Sequence, residues 1–200
     1  MLYVVYIMLL NIILSGFSDA AVTVLGLYYK WQSFSFIPLF ALQTCIVPVL
    51  RYNFSRQSYD RCRAIVRDSV IFSLVLMAFG IFSFEVIPQY LIGIFSKSKE
   101  VLEIGKIGFR IIGASFAPAV FSLISPTIFQ AIGEAKQSLF LSLFRQLICL
   151  VPIFWLFSFV GLNYTWLSFP ISETLTTVIG LYWYYRDFVK KYRKSLAEGA

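Results

Sequence analysis

Long, uninterrupted runs of apolar residues dominate the hydrophobic pattern of this chain. They extend over residues 21–50, 69–92, 107–130, 138–160 and 164–185, and a shorter apolar run occupies residues 1–17. Runs of this length are typical of helices that cross a bilayer, and they lack the two-residue alternation of barrel strands. Because unpaired backbone groups are costly in hydrocarbon, the pattern predicts an all-α polytopic transmembrane bundle. We expect five full spans and a partial N-terminal helix.

Composition agrees with a membrane protein. Apolar residues make up 59% and charged residues 14% of the 200 positions, which is more apolar surface than a soluble core of this size can bury. The net charge of +7 is not arranged as a basic stripe interleaved with aromatic residues, so we expect no nucleic-acid binding. The absence of histidine excludes His-based zinc and di-iron enzymes, and the three widely spaced cysteines are interpreted as free thiols. We expect a non-enzymatic protein of the lipid bilayer, without a metal or cofactor.

The distribution of positive charge predicts the orientation of the bundle. Five arginines lie in segment 51–67, Lys136 lies in the short loop 131–137, and five more cations lie in the tail 186–200. Positive charges concentrate in cytoplasmic loops. We therefore expect these three segments, including the basic tail, on the cytoplasmic side of the plasma membrane (the inner membrane of a Gram-negative cell). Residue 1 is then placed at or within the cytoplasmic leaflet.

Five prolines fall inside the predicted spans. Each one removes a helical hydrogen bond and tends to kink its helix. A single proline is readily tolerated in a membrane helix, but five together favour broken helices that line a cavity, as in transporters. These residues are Pro38, Pro48, Pro118, Pro126 and Pro152.

Ionisable residues well inside a span are the first candidates for a functional site. Each costs about 2.5–3.5 kcal/mol on insertion scales unless it is paired or faces water. We hypothesise that Lys30, Arg110 and Glu173 converge, with Glu173 neutralising at least one cation. A buried ion pair that only fixes packing is the alternative to a role in transport. Arg145 lies nearer the cytoplasmic end, and we expect it to snorkel to that interface or to cap the turn at 131–137.

Uncharged residues inside the spans are candidates for the lining of a cavity. Amide side chains can line a cavity or bind neighbouring helices, and the sequence leaves both roles open. Phenylalanines near the prolines can offer stacking and cation–π surfaces to flat organic cations, or can contact lipid. The candidates are Gln43, Gln130, Phe34, Phe36 and Phe116.

Three stretches of the chain resemble the multidrug and toxic compound extrusion (MATE) family of transporters. They are AVTVLGLYYKWQSFSFIPLFALQTCIVPVLRYNFSR (21–56), residues 104–152, and TWLSFPISETL (165–175). The most specific is the F-Q-A-x-G-x-x-x-x-S-L…R-Q…P run over residues 129–152. The chain looks most similar to the DinF- and MepA-like bacterial efflux proteins of this family.

The resemblance implies one six-helix lobe, the C-terminal lobe, of a two-lobed secondary transporter. It implies xenobiotic export, often of small organic cations, by cation antiport and alternating access between two lobes. The chain then begins part-way through the family's seventh helix. An N-terminal lobe, in the same or a separate chain, is the implied partner, and a homodimer is the other possibility.

Departures from the family pattern keep other functions open. The segment RYNFSRQ (51–57) lacks the glycines usual at this point, and residues 107–130 contain no Asp or Glu, although some members place a cation-coupling carboxylate there. One alternative is a non-transporting membrane fragment or packing partner of a separately encoded lobe. Another is a lipid or polysaccharide flippase of the same superfamily.

Overall fold

A computed structural model describes the backbone of residues 2–189 and the side chains of residues 4–187. Within these residues the chain is helical and contains no β-strand, so the predicted all-α class is confirmed. The α-helices are α1 (Leu2–Ser15), α2 (Asp19–Ser55), α3 (Tyr59–Val86), α4 (Pro88–Gly93), α5 (Lys99–Gly113), α6 (Phe116–Ala131), α7 (Ala135–Leu143), α8 (Val151–Ser158), α9 (Leu162–Thr165) and α10 (Ser168–Trp183). A π-helical segment, Phe144–Leu150, joins α7 to α8, and a second, Tyr184–Val189, continues α10. The predicted basic tail lies outside the described residues from residue 190 onward.

Three helices in the described part of the chain are long and apolar enough to cross a membrane. They are α2, α3 and the continuous run Ala135–Ser158. The pair α5 and α6 passes the same test as one unit but bends by 52° at its break, which makes four spans at most. The predicted number of five full spans exceeds this count, because the helices that cover the last predicted span, 164–185, are not among those long and apolar enough.

Proline interrupts the predicted span over residues 69–92. The helix α3 begins ten residues earlier than predicted, at Tyr59, and ends at Val86. Pro88 starts the short helix α4, and the residue before it, Ile87, has φ −122° and ψ 34°. A residue that precedes proline is sterically disfavoured in the α-helical region, so the chain breaks here.

The prolines predicted to kink spans have two different outcomes. Pro38, Pro48 and Pro126 lie inside the continuous helices α2 and α6. Pro118 lies in the first turn of α6. The N–H groups of a first turn have no acceptor within the helix, so proline is tolerated there and the break at residues 114–115 precedes it.

Pro152, the fifth of these prolines, coincides with a change of helix type. It lies in the first turn of α8, directly after the π-helical segment Phe144–Leu150. Proline has no N–H to donate to the carbonyl oxygen of Ile148 and would clash with it in a regular α-helix. A π-helical turn is a common way to accommodate such a defect, and it rotates the side chains that precede it.

The described parts of the segments predicted to be cytoplasmic lie at one end of the bundle. Gln137, at the start of α7, donates a hydrogen bond of 2.8 Å from Nε2 to Asp187, beyond the end of α10. Tyr184 lies within electrostatic range of Arg63, near the start of α3. The segments 51–67 and 131–137 and the end of α10 are therefore neighbours, as the charge pattern requires.

Helix α10 packs mainly against α6 and the π-helical segment Phe144–Leu150. Small residues allow α6 and α10 to approach closely. A Cβ atom added at Gly180 would lie 2.7 Å from Ser125 Oγ. The approach also brings Ser122 of α6 next to Glu173 of α10. Packing between α6 and α10 thus helps to position Glu173, the carboxylate of the one largely buried ion pair in the described part of the chain.

Candidate functional site

A cavity of about 340 Å³ lies among α1, α2, α6, α10 and the π-helical segment. Three tyrosines and three phenylalanines form its aromatic wall: Tyr6, Tyr28, Tyr29, Phe36, Phe40 and Phe169. Arg145 and Glu173 also line it, and they are the charged side chains of the wall among the described residues. We call this cavity the charged chamber. Its aromatic wall and its paired charges suit a flat organic molecule that carries a charged or polar group.

The two charges of the charged chamber form a salt bridge. Arg145 Nη1 donates to Glu173 Oε1 at 3.1 Å, and the side chains are 17% and 14% exposed, respectively. The hydroxyl group of Ser122 donates to the other carboxylate oxygen. Because both charges are largely removed from water, each one depends on its partner for neutralisation. Arg145 and Glu173 are therefore energetically coupled.

Consecutive residues of α10 hold both the side chain and the backbone of Arg145. While Glu173 binds the guanidinium, Ser172 donates a hydrogen bond of 2.6 Å from its hydroxyl group to the Arg145 carbonyl oxygen. In a π-helical turn the backbone hydrogen bonds are displaced by one residue, so an external donor compensates for the irregular geometry. The π-helical segment and α10 together orient Arg145 into the charged chamber.

The predicted cluster of Lys30, Arg110 and Glu173 does not form. Lys30 is exposed and its Nζ lies 4.9 Å from the centroid of the Phe95 ring. Arg110 is also exposed, and its Nε donates to the Glu85 carbonyl oxygen at 3.3 Å. Position along a span predicts the depth of a charge but not the direction in which it points.

The cation that neutralises Glu173 is therefore corrected to Arg145. Arg145 was expected to snorkel or to cap the turn at 131–137, but its side chain turns inward to Glu173. One signal was available in the sequence, since Arg145 and Glu173 carry opposite charges in consecutive predicted spans. Consecutive elements are usually neighbours in space, which makes such a pair a better candidate than one matched only in depth.

A second pocket, of about 480 Å³, lies between α2 and α6 and opens to the surface of the chain. Its wall contains Gln43, Thr44, Thr127 and Gln130, and no charged side chain of the described residues. The Nε2 atom of Gln43 is buried and has no hydrogen-bond partner in the described part of the chain. We call this pocket the neutral chamber.

The candidate lining residues are divided among several environments. Phe36 lines the charged chamber, and Gln43 and Gln130 line the neutral chamber. Phe116 is fully buried in the core, with its ring centroid 5.2 Å from that of Phe36. Phe34 is 67% exposed and lines neither chamber. Aromatic residues near proline are thus not equivalent: Phe36 and Phe34 lie on different faces of α2, and only Phe36 points inward.

Solved structures with the same fold include both states of a transporter. The chain matches the outward-facing conformation of a multidrug resistance MATE family transporter of the MOP superfamily with a TM-score of 0.85, at 16% identity, over 93% of this chain and 43% of that one. It matches the inward-facing conformation with a TM-score of 0.84, at 16% identity, over 93% of this chain and 44% of that one. The fold of the lobe therefore agrees with both conformations.

A curated relative has the name "Multidrug export protein MepA", from Staphylococcus saprophyticus. It is 21% identical over 194 residues, which are 96% of this chain and 43% of the relative. The chain thus spans less than half the length of this relative. The family model described as MatE matches residues 1–156, which confirms the resemblance seen in the sequence. The chain belongs to the MatE family.

Proposed function

We propose that this chain is the C-terminal lobe of a secondary transporter that exports small organic cations by cation antiport. The observation that carries the proposal is the charged chamber, where an aromatic wall surrounds the Arg145–Glu173 pair. Its family, and a relative named for multidrug export, support the same function. Aromatic rings can stack on flat cations, and a carboxylate can neutralise their charge.

Antiport follows from competition for one carboxylate. Glu173 can neutralise Arg145, a coupling cation or the cationic group of a ligand, but a single negative charge does not balance all of them at once. Binding of the coupling cation would therefore lower the affinity of the site for the organic cation. Binding of the organic cation would likewise lower its affinity for the coupling cation. The Ser122 hydroxyl keeps one carboxylate oxygen in place during this exchange.

Transport requires a second body against which this lobe moves. The chain covers 43% of its curated relative, so we propose an N-terminal lobe, or a second copy of the chain, as the partner. Alternating access is largely rigid-body rocking of one half against the other. The similar TM-scores to outward-facing and inward-facing structures fit a lobe that keeps its fold during this motion.

We expect the chain alone to bind ethidium, a flat aromatic cation, without transporting it. Binding is measured by fluorescence polarisation with purified protein in detergent, and transport by dye movement into proteoliposomes. Glu173→Gln should weaken ethidium binding by about tenfold or more, because it removes the charge that balances the ligand. Production together with its N-terminal lobe should confer transport.

The matched control is Glu103→Gln, because Glu103 is exposed and lines neither chamber. It should leave ethidium binding unchanged. Equal affinity in the parent and in Glu173→Gln would contradict the proposed site. Dye transport by the chain alone would contradict the need for a second lobe.

We also propose that the chain is a multi-pass protein of the plasma membrane with segments 51–67 and 131–137 and the C-terminus in the cytoplasm. With Cys45 replaced by serine, a cysteine introduced at Gln57 or Glu134 should react with a membrane-impermeant maleimide only in permeabilised cells. A cysteine at Ser96, at the opposite end of the bundle, should react in intact cells. Reaction of positions 57 and 134 from opposing sides would refute this topology.

A further inference from the structure

One face of α2 lines both chambers. Tyr28, Gln32 and Phe36 border the charged chamber, and Gln43 and Val47 border the neutral chamber. Their spacing of four and seven residues is that of a single helical face. At 1.5 Å per residue this stripe extends about 30 Å, which is comparable to the hydrocarbon thickness of a bilayer. The two chambers therefore lie one after the other along most of the depth of a membrane.

Phe40 lies between the two chambers. Among the described residues it is the one side chain that lines both of them. Helix α6 shows the same order, with Leu123 in the charged chamber and Thr127 in the neutral chamber. The Phe40 ring packs beside Phe36, with a centroid distance of 6.2 Å. The Phe40 ring, which is 48% exposed, therefore forms the border between the two chambers along α2.

The neutral chamber offers hydrogen-bonding groups without charge. Gln43 Nε2 is a buried donor that has no partner in the described residues. Pro48 has no N–H to donate to the Thr44 carbonyl oxygen, so the usual helical donor to that acceptor is missing. A buried donor without a partner is unfavourable, and a ligand acceptor would relieve this cost.

We propose that the neutral chamber is a second ligand-binding site, for an uncharged aromatic molecule with a carbonyl group and an N–H, and that Phe40 separates it from the charged chamber. Gln43 donates to the ligand carbonyl, and the Thr44 carbonyl oxygen accepts from the ligand N–H. The inference rests on the proposed function, because the two chambers would be successive sites on one export path. The charged chamber selects charge, while the neutral chamber selects shape and hydrogen bonding.

Acridone, a flat and fluorescent aromatic ketone with one N–H, is the probe for the neutral chamber. We expect the purified chain to bind acridone, and Gln43→Leu to weaken this binding by about tenfold, the effect of losing one buried hydrogen bond. Ethidium binding should not change. Gln89→Leu is the matched control, because Gln89 is exposed and lines neither chamber.

The outcomes separate the two proposals. Absence of ethidium binding contradicts the proposed function. Ethidium binding without acridone binding, or acridone binding that is unchanged in Gln43→Leu, contradicts the neutral chamber alone.

The role of Phe40 is tested by the rate at which N-ethylmaleimide modifies a cysteine introduced at Gln32, in a chain with Cys45 replaced by serine. The other native cysteines, Cys62 and Cys149, are buried. We expect Phe40→Ala to raise the modification rate several-fold, because removal of the ring opens the charged chamber to the neutral one. Phe34→Ala, which removes an exposed ring from the same helix, should leave the rate unchanged.

Equal rates in the Phe40→Ala and Phe34→Ala proteins would overturn the separating role of Phe40. Phe40→Leu serves as a second variant, because it keeps apolar volume and should give an intermediate rate. Thermal unfolding of each variant shows whether a faster reaction reflects an open chamber or a loosened fold. A rate that follows stability and not ring size would also overturn the proposal.

Discussion

Arg145→Met is expected to destabilise the lobe by about 3–5 kcal/mol, because it leaves the Glu173 carboxylate buried without its cation. The two side chains are 17% and 14% exposed, so water compensates little for the lost partner. Ser122 still donates to the carboxylate but brings no charge. The free energy of unfolding in detergent, followed by tryptophan fluorescence, measures this loss.

Two further variants distinguish loss of the pair from loss of a long side chain. Adding Glu173→Gln to Arg145→Met should recover most of the stability, since no unpaired charge then remains. Arg110→Met should cost far less, because Arg110 is exposed and its hydrogen bond goes to a backbone oxygen. Equal losses in Arg145→Met and Arg110→Met, or no recovery in the double variant, would contradict the coupling.

Gly180→Ala is expected to destabilise the lobe by about 1–3 kcal/mol through overpacking between α6 and α10. The new Cβ would lie 2.7 Å from Ser125 Oγ and 2.8 Å from Ser125 Cβ, so the two helices have to move apart. Glu173 lies on the same face of α10, two turns before Gly180, and its contact with Ser122 would lengthen. Ethidium binding should therefore weaken together with stability.

Ser125→Gly, combined with Gly180→Ala, should restore part of the stability because it removes both of the atoms that clash. Gly26→Ala is the matched control: a Cβ there meets nothing within 4 Å, so higher helix propensity should raise stability by up to about 1 kcal/mol. If Gly180→Ala proved as harmless as Gly26→Ala, the close approach of α6 and α10 would not be required for the fold.

The helical class could be predicted because the backbone N–H and C=O groups of a chain in hydrocarbon have to form hydrogen bonds within the protein. Apolar runs that lack a two-residue alternation have to form helices, and charge at their ends favours one orientation. The residues of the F-Q-A-x-G run also carried the family resemblance, which the family model confirms. Boundaries were less predictable, because Pro88 divides one predicted span and the 52° bend between α5 and α6 divides another.

Hydropathy and composition alone thus predict a helical membrane bundle and the depth of its charges, since both depend on how many apolar residues follow one another. The choice of partner for Glu173 depends on rotation and close packing instead. The π-helical turn before Pro152 rotates Arg145, and Gly180 lets α10 approach α6. Lys30 and Arg110 have a suitable depth but point elsewhere, so Arg145 neutralises Glu173.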